Sequence, residues 1–339
     1  MKRIRALVVD DSAFARKVMR ESLAASSEIE VVATATDGID ALEKIAELDP
    51  DVITLDLAMP NLDGLGVLKA LPANKRRRVV IVSMSGGDSE LGIAALATGA
   101  FDLVQKPTAL AIDSLRDVAE ELVTKVLLAG RARPRTEHAP PEPVPPRTTA
   151  SSNRVVLIGT STGGPQALTR LLTAFPADFP APIAIVLHIP VGYTEAFAAR
   201  LDAECALDVV EASEGLLLRP GLAVIAVAGM HLYLVSHAGR TRTHLYLEPI
   251  GSMHRPSVNV LFESAARSLG PRALGVVLTG MGDDGLVGAR AIVEAGGRVL
   301  TETESSCVVY GMPRVVKEAG LSAAEAPLER MAAEIAARV

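Results

Sequence analysis

The sequence predicts two α/β domains, each built on a doubly wound parallel sheet, joined by a proline-rich linker. Short apolar runs alternate with amphipathic helical patterns along residues 1–128 and again along residues 153–339, which is typical of parallel sheets covered by helices. Six prolines lie within residues 131–150, and proline removes a backbone donor and forbids regular pairing. Apolar residues make up 49% of the 339 residues, so the chain has the material for two packed cores.

In the first domain we expect five strands that alternate with helices. The predicted strands are Arg5–Asp10, Glu30–Ala33, Val52–Asp56, Val79–Met84 and Leu103–Gln105. The predicted helices include Ala13–Ala25, Ile39–Leu48, Ser89–Thr98 and a last helix over about Ala111–Leu128. We place the first domain at residues 1–128 and the linker at residues 129–152.

The second domain, residues 153–339, repeats the pattern less regularly. Three continuous apolar runs predict strands covered on both faces: Val155–Ile158, Ile183–Leu187 and Ala273–Leu278. Shorter strands at Leu222–Val227, His231–Val235 and His244–Leu247 predict an antiparallel insert. Helices are predicted at Ser257–Leu269, Gly285–Glu294 and Ala324–Arg338.

Composition excludes several classes of protein. The net charge is −6 and aromatic residues make up only 3% of the chain, which argues against binding to nucleic acid. We see no apolar stretch that approaches the roughly 18 residues of a membrane helix, so we expect no membrane insertion. Two cysteines cannot build a disulfide framework, and we expect a cytoplasmic protein.

Polar side chains follow successive strands of the first domain. They are Asp10 and Asp11, then Asp56, Ser83 and Lys106. Ligands of an open parallel sheet bind beyond the carboxyl ends of its strands. Three carboxylates there would repel one another without a divalent cation, and Mg²⁺ prefers such oxygen ligands. A single Asp at a strand end is more often a helix N-cap, and a single Lys is more often solvated, but their joint occurrence favours a phosphoryl-transfer site.

These residues resemble the receiver domain of two-component response regulators. The matching motifs are VVDDS, then DLAMPNLDGL around Asp56, then Ser83 after an apolar strand, and Lys106-Pro107. The resemblance implies a flavodoxin-like (βα)5 fold and phosphorylation of Asp56 by a histidine kinase. It also implies Mg²⁺ bound by Asp11, Asp56 and the carbonyl of Ala58, with Asp10 acting largely through water.

By the same resemblance, Ser83 and Lys106 would hold the phosphoryl group. One departure concerns Leu103, which stands where many receivers carry an aromatic switch residue. The strength of the coupling between phosphorylation and shape is therefore left open.

A second set of polar residues follows three strands of the second domain. Gly159-Thr160-Ser161-Thr162-Gly163 satisfies the G-x-S-x-G pattern, in which small neighbours let a serine occupy a tight strand-to-helix turn. His188 follows the next apolar strand, and Asp284 follows the third. Alone, each has another interpretation: a phosphate-binding or structural turn, a structural histidine, a helix cap. Together they meet the requirement of a nucleophile, a base and an orienting carboxylate.

The second domain resembles the C-terminal domain of chemotaxis protein-glutamate methylesterases. The matching motifs are VVLIGTSTGGPQAL, LHIPVGYTEAFAARL, HRPSVNVLFESAA, VVLTGMGDDGLVGA and ESSCVVYGMPR. The resemblance implies a Rossmann-like α/β fold with Ser161 as nucleophile, His188 as base and Asp284 as its orienting carboxylate. It also implies an oxyanion hole formed by the backbone amides of Thr162 and Met281, and no cofactor for the ester hydrolysis.

The implied function is a phosphorylation-activated demethylation of glutamate methyl esters on the cytoplasmic domain of chemoreceptors, with deamidation of receptor glutamines as a second activity. In that family the unphosphorylated receiver covers the active-site face. The alternative is a non-catalytic response-regulator adaptor that binds receptors or nucleotide. Asn259 stands where the family often has Asp, which leaves an effect on substrate recognition open.

Overall fold

A computed structural model of the chain describes residues 2–72, 78–84, 89–106, 115–132, 141–145, 152–249 and 252–339. The chain divides into two compact units, Met1–Pro134 and Arg135–Val339, and each contains its own parallel sheet. Within these described ranges, no helix is both long enough and apolar enough to cross a membrane.

The first unit is a five-stranded parallel sheet with helices between the strands. Its strands are β1 (Ile4–Val9), β2 (Ile29–Ala35), β3 (Val52–Asp56), β4 (Val79–Ser83) and β5 (Asp102–Gln105). Its helices are α1 (Ala13–Ala24), α2 (Gly38–Leu48), α3 (Gly64–Ala70), α4 (Ser89–Thr98) and α5 (Leu115–Arg131). The strand order β2-β1-β3-β4-β5 is that of flavodoxin-like sheets. The predicted fold class is therefore confirmed.

Two helices of this unit differ from the prediction. Helix α3 is not among the predicted helices, because its two glycines lower helix propensity. The side chain of Asp63 begins this helix by accepting a hydrogen bond from Gly66 N at 2.6 Å. Helix α5 continues three residues beyond the predicted end at Leu128, and residues 111–114 of that prediction lie outside the described residues.

The second unit contains seven parallel strands and a separate hairpin. The sheet comprises β6 (Val155–Thr160), β7 (Ile183–Leu187), β8 (Asp208–Glu211), β9 (Leu222–Ile225), β12 (Ala273–Val277), β13 (Arg298–Glu302) and β14 (Ala324–Ala326), in the order β14-β13-β12-β6-β7-β9-β8. The hairpin comprises β10 (His231–His237) and β11 (Arg240–Tyr246). The helices are α6 (Gly164–Leu172), α7 (Thr194–Glu204), α8 (Val258–Leu269), α9 (Leu286–Glu294), α10 (Met312–Glu318) and α11 (Leu328–Ala336).

Two predictions for this unit are wrong in part. The antiparallel insert exists as β10 and β11, but Leu222–Ile225 pairs in parallel with β7 and β8 and belongs to the main sheet. The predicted helix Ala324–Arg338 begins as strand β14, which pairs with Leu300–Glu302. Pro327 stands at the N-cap of α11, so the helix begins only at Leu328.

The order of the strands places β6 at the centre, between β7 and β12. The chain passes from β6 towards β7 on one side and later returns to β12 on the other, so β6 marks the topological switch point where α/β sheets bind ligands. Helix α8 packs closely against β6, because a Cβ on Gly159 would lie 2.3 Å from a methyl group of Val258. The start of α8 is thereby fixed beside the carboxyl ends of the central strands.

Candidate active site

Ser161 lies in the tight turn that joins β6 to α6. Ser161 O accepts a hydrogen bond from Gly164 N at 2.7 Å, which closes the turn. Gly163 has a φ of +78°, and a Cβ there would lie 2.6 Å from Val308, so both conformation and space require glycine. Ser161 itself is half-buried at the end of the central strand.

His188 follows β7 and is hydrogen-bonded to Asp284. Its backbone N donates to Thr160 O at 3.1 Å, which places it beside the residue that precedes the serine. Its Nε2 lies 2.9 Å from Asp284 Oδ2. Because a carboxylate only accepts, Nε2 carries the proton. His188 Nδ1 is buried and has no hydrogen-bond partner within the described ranges, which leaves its lone pair available as a base.

Asp284 is held by the first turn of α8. Its Oδ1 accepts from Ser257 Oγ and Asn259 N, each at 2.9 Å, and its Oδ2 accepts from Val258 N at 2.7 Å. Burial opposes its charge, but the hydrogen bonds from His188 and from this helix terminus lower the pKa of Asp284 to about 2. The carboxylate therefore stays ionised and fixes the orientation of the imidazole. Asp283, its neighbour, is exposed.

Asn259 links the starts of two helices. Its Oδ1 accepts from Gly285 N at 3.0 Å and from Gly288 N at 2.8 Å. These contacts satisfy donors in the first turn of α9, next to Asp284. The amide oxygen of Asn259 therefore helps to fix the backbone next to the Asp284 carboxylate.

The directions of two peptide N–H groups follow from the hydrogen bonds that the carbonyl oxygens of the same peptide units accept. Because a trans peptide is planar, its C=O and N–H point in opposite directions. Ser161 O faces Gly164 N, so the N–H of Thr162 points away from α6. Gly280 O accepts from Gly311 N at 3.1 Å and Met312 N at 2.9 Å, so the N–H of Met281 points away from α10.

The two loops that carry these N–H groups touch each other. A Cβ on Gly280 would lie 3.0 Å from both N and Cβ of Ser161. The peptide units on the C-terminal side of Ser161 and Gly280 are therefore neighbours of the serine. The two N–H groups predicted to form an oxyanion hole therefore belong to adjacent loops beside the serine.

His254 contacts the candidate base directly. Its ring stacks on that of His188 with a centroid distance of 4.0 Å and an interplanar angle of 23°. His254 is not among the predicted site residues, because nothing in the spacing of the two residues indicates that their rings meet. Thr279, which contacts the serine turn through its backbone and side chain, is a second residue missed for the same reason.

The predicted acidic cluster is present in the first unit. Carboxylate oxygens of Asp10, Asp11 and Asp56 lie within 4.8 Å of one another. Lys106 Nζ lies 2.7 Å from Asp56 Oδ2 and 3.0 Å from Asp10 Oδ2. The simple N-cap interpretation is not needed, because Ser12 caps α1 by accepting from Ala15 N at 3.3 Å.

The cluster fits a hard cation. Asp10 and Asp56 are buried, and Asp56 Oδ1 accepts no hydrogen bond in the part of the chain that the structure describes. Burial raises the pKa of both carboxyls, although Lys106 opposes that effect. For Lys106, burial opposes the charge, but hydrogen bonds to Asp56 and Asp10 raise its pKa. These clustered carboxylate oxygens are the ligand type that Mg²⁺ prefers.

The remaining predicted residues of this unit lie around the cluster. Ser83 is buried at the end of β4, and its carbonyl accepts from Lys106 N at 2.7 Å. Ala58 is exposed in the turn after β3, two residues from Asp56. Leu103 is buried in β5, and its carbonyl accepts from Lys125 Nζ at 2.7 Å.

Comparison with known proteins decides the family. Residues 156–335 match the family described as CheB methylesterase, and residues 6–119 match the response regulator receiver domain. The chain belongs to the CheB methylesterase family. It is 60% identical to protein-glutamate methylesterase/protein-glutamine glutaminase 5 of Myxococcus xanthus strain DK1622, over 97% of this chain and 96% of that protein.

Less similar proteins that carry the same methylesterase names also match the chain. The chain is 42% identical to protein-glutamate methylesterase/protein-glutamine glutaminase 2 of Methanosarcina mazei, over 98% of this chain and 95% of that protein. The crystal structure of the CheB methylesterase catalytic domain from Thermotoga maritima has 37% sequence identity and a TM-score of 0.54, and covers 56% of this chain and all of that one. The chain thus combines a response regulator receiver domain with a CheB methylesterase domain.

Proposed function

We propose that this chain removes methyl groups from glutamate methyl esters on the cytoplasmic domain of chemoreceptors, and that phosphorylation of Asp56 activates it. The observation that carries the proposal is the hydrogen bond of 2.9 Å between His188 Nε2 and Asp284 Oδ2 at the switch point, beside the Ser161 turn. It produces an oriented imidazole whose other nitrogen is buried without a partner in the described residues.

The first half of the reaction follows from these positions. His188 Nδ1 accepts the proton of Ser161 Oγ while that oxygen attacks the ester carbonyl carbon. The carbonyl oxygen becomes an oxyanion, which the N–H groups of Thr162 and Met281 stabilise. The tetrahedral intermediate collapses, the bond to the methoxy oxygen breaks, and His188 returns its proton to that oxygen. Methanol leaves, and the glutamyl group remains bound to Ser161.

The second half repeats the same steps with water. His188 takes a proton from a water molecule, the resulting hydroxide attacks the acyl group, and Ser161 leaves with the proton. The products are a glutamate side chain and free enzyme. A glutamine side chain would follow the same course with ammonia as the leaving group, which is the basis for the glutaminase activity. Neither course uses a cofactor.

The first unit supplies the switch. We expect a histidine kinase or a small phosphodonor to transfer a phosphoryl group to Asp56. Mg²⁺, when bound by Asp10, Asp11, Asp56 and the carbonyl of Ala58, would neutralise charge on the transferring group. Ser83 and Lys106 would hold the phosphoryl oxygens.

We place the protein in the cytoplasm, because both the receptor domain that it would act on and the kinase that it would depend on belong there. We also retain the division into a receiver at 1–128, a linker at 129–152 and a catalytic domain at 153–339. The net charge of −6 supports the expectation that no nucleic acid is bound.

A methanol-release assay on methylated receptor membranes tests the proposal. The full chain is assayed with and without Mg²⁺ and a small phosphodonor, beside Ser161→Ala and Asp56→Asn. We expect no release with Ser161→Ala, and no stimulation with Asp56→Asn. Full activity of Ser161→Ala would refute the assignment of Ser161 as nucleophile, whereas no release by the unmodified chain would favour the adaptor. Equal rates of the unmodified chain with and without phosphodonor would refute the role of Asp56.

A further inference from the structure

We propose that Thr279, supported by Glu302, is a positioning residue. It holds the serine turn (residues 160–163) and the oxyanion loop (residues 280–282) in one arrangement. The inference rests on the proposed function, because it assigns a role relative to Ser161 and to the N–H groups of Thr162 and Met281. Thr279 lies between β12 and Gly280 and is buried. Neither it nor Glu302 takes part in the proton transfers described above.

Thr279 contacts three consecutive residues of the serine turn. Its carbonyl oxygen accepts from Thr160 Oγ1 at 2.7 Å and from Ser161 N at 3.1 Å. Its own hydroxyl has two acceptors within reach, Thr162 O at 3.0 Å and Val309 O at 3.3 Å, and the nearer is Thr162 O. The residue before the oxyanion loop therefore fixes the residues before, at and after the nucleophile.

The hydroxyl of Thr279 also fixes the segment that braces the oxyanion loop. It accepts from Val309 N at 3.0 Å. Val309 O in turn accepts from Gly280 N at 3.0 Å, and Gly280 O accepts from Gly311 N and Met312 N. One hydroxyl thus links Thr162 on one side to the 309–312 segment on the other. This segment includes most of the VVYGMPR motif, to which the proposed reaction gives no other role.

Glu302 supports Thr279 from the neighbouring strand β13. It is completely buried. Its Oε2 accepts from Thr279 N at 2.8 Å, and its Oε1 accepts from Ser306 Oγ at 2.8 Å. Burial of a carboxylate is costly unless its oxygens are hydrogen-bonded. Both oxygens are used here, and one of them holds the backbone immediately before Gly280.

A pair of substitutions separates the hydroxyl of Thr279 from its shape. Thr279→Val keeps the branched side chain but leaves Thr162 O and Val309 N without this partner. Thr279→Ser keeps the hydroxyl and loses only a methyl group. Because small displacements of catalytic groups cost about 100-fold in rate, we expect Thr279→Val to lower kcat by roughly 10- to 100-fold with KM unchanged. Thr279→Ser should stay within about 3-fold of the unmodified enzyme.

Thr301→Val is the matched control. Thr301 is also completely buried, and its hydroxyl bonds to Ser322 Oγ at 2.8 Å. It precedes Glu302 in β13, but its hydroxyl bond is directed to Ser322 and not to either loop. Its substitution should lower the stability to urea, as a lost buried hydrogen bond does, and leave kcat unchanged.

The experiment measures kcat and KM for methanol release by the phosphodonor-activated full chain, together with urea unfolding of each variant. Loss of kcat in Thr279→Val, with near-normal kcat in Thr279→Ser and Thr301→Val, supports the inference. Equal kcat in all three variants, or kcat values that follow unfolding midpoints across them, overturns it.

Glu302→Gln serves if Thr279→Val does not fold, because an amide offers only one oxygen to the donors around Glu302, which include Thr279 N and Ser306 Oγ. We expect at least a 10-fold lower kcat with KM unchanged, and an unaltered kcat would overturn the inference. The Ser161→Ala variant distinguishes failure of the catalytic assignment from failure of the positioning role. If that variant retains full activity, the assignment of Ser161 as nucleophile fails; if the unmodified chain releases no methanol, the proposed function fails. If Ser161→Ala is inactive while Thr279→Val is fully active, only the positioning role fails.

Discussion

Substitution of Asp284 by asparagine tests how the triad is held. The carboxylate accepts four hydrogen bonds, from His188 Nε2, Ser257 Oγ, Val258 N and Asn259 N. An amide has one oxygen, so an NH₂ group must face donors at the other position. If His188 Nε2 then accepts from the amide, Nδ1 becomes protonated and loses the lone pair that would receive the proton of the serine.

The magnitude follows for both activity and stability. A wrong tautomer of the base lowers kcat by about 10⁴-fold in the template serine hydrolase, and we expect a similar loss. The pKa of Asp284 falls from an ordinary 3.8 to about 2, which corresponds to about 2 kcal/mol of folding free energy. Because the pKa is lowered in the folded state, this stabilisation is present above about pH 4 and is lost as the pH falls towards 2.

The assay is urea unfolding of the full chain between pH 2.5 and 6, followed by far-ultraviolet circular dichroism because the chain has no tryptophan. The difference in unfolding free energy between the unmodified chain and Asp284→Asn should grow by about 2 kcal/mol as the pH rises through this range. Asp283→Asn, at the exposed neighbouring residue, is the matched control and should show no such change. A difference that is constant with pH, or normal kcat in Asp284→Asn, would refute the reasoning.

Substitutions at three further positions test other contacts. Gly280→Ala should lower kcat by about 100-fold, because its Cβ would lie 2.4 Å from Met312 Sδ and 3.0 Å from Ser161 N, so that the backbone at residue 280 has to shift; a normal kcat would contradict this packing. His254→Ala should lower kcat by about 10-fold, whereas His254→Phe, which keeps an aromatic ring against His188, should retain most of it; equal rates for the two would exclude a role for the stacked ring. Asp56→Asn should raise the thermal unfolding temperature of the receiver at neutral pH without Mg²⁺. Burial raises the pKa of Asp56, so the unmodified receiver loses stability as the pH rises through that raised pKa, and the variant does not. Mg²⁺ should then stabilise the unmodified receiver but not the variant, as calorimetry would detect.

The contact between His188 and Asp284, and the place of Ser161 at the end of a neighbouring strand, could be predicted from the sequence because parallel strands bring their carboxyl ends to one edge. Long apolar runs identify β6, β7 and β12, and a polar residue follows each of them within a short distance. The same logic locates Asp10, Asp56 and Lys106. Residues that are distant in sequence thus become neighbours through the sheet alone, without knowledge of side-chain packing.

The buried contacts and strand pairings around the site could not be predicted in this way. The segment that contains Glu302 has a polar sequence, TETESS, which is typical of a loop, yet strand pairing buries this carboxylate. Strand β14 has helix-forming residues, Ala-Glu-Ala, and its strand conformation depends on pairing with β13. Leu222–Ile225 carries no signal that separates a parallel partner of β7 from the hairpin that follows it. In each case a tertiary contact decides, and no local pattern reports it.

The most direct test of the account is the release of methanol from methylated receptor by the phosphodonor-activated full chain and by its Ser161→Ala variant, at equal protein concentration and with both proteins shown to be folded. The account predicts steady release by the unmodified chain and none above background by the variant. Equal release by the two proteins would contradict it.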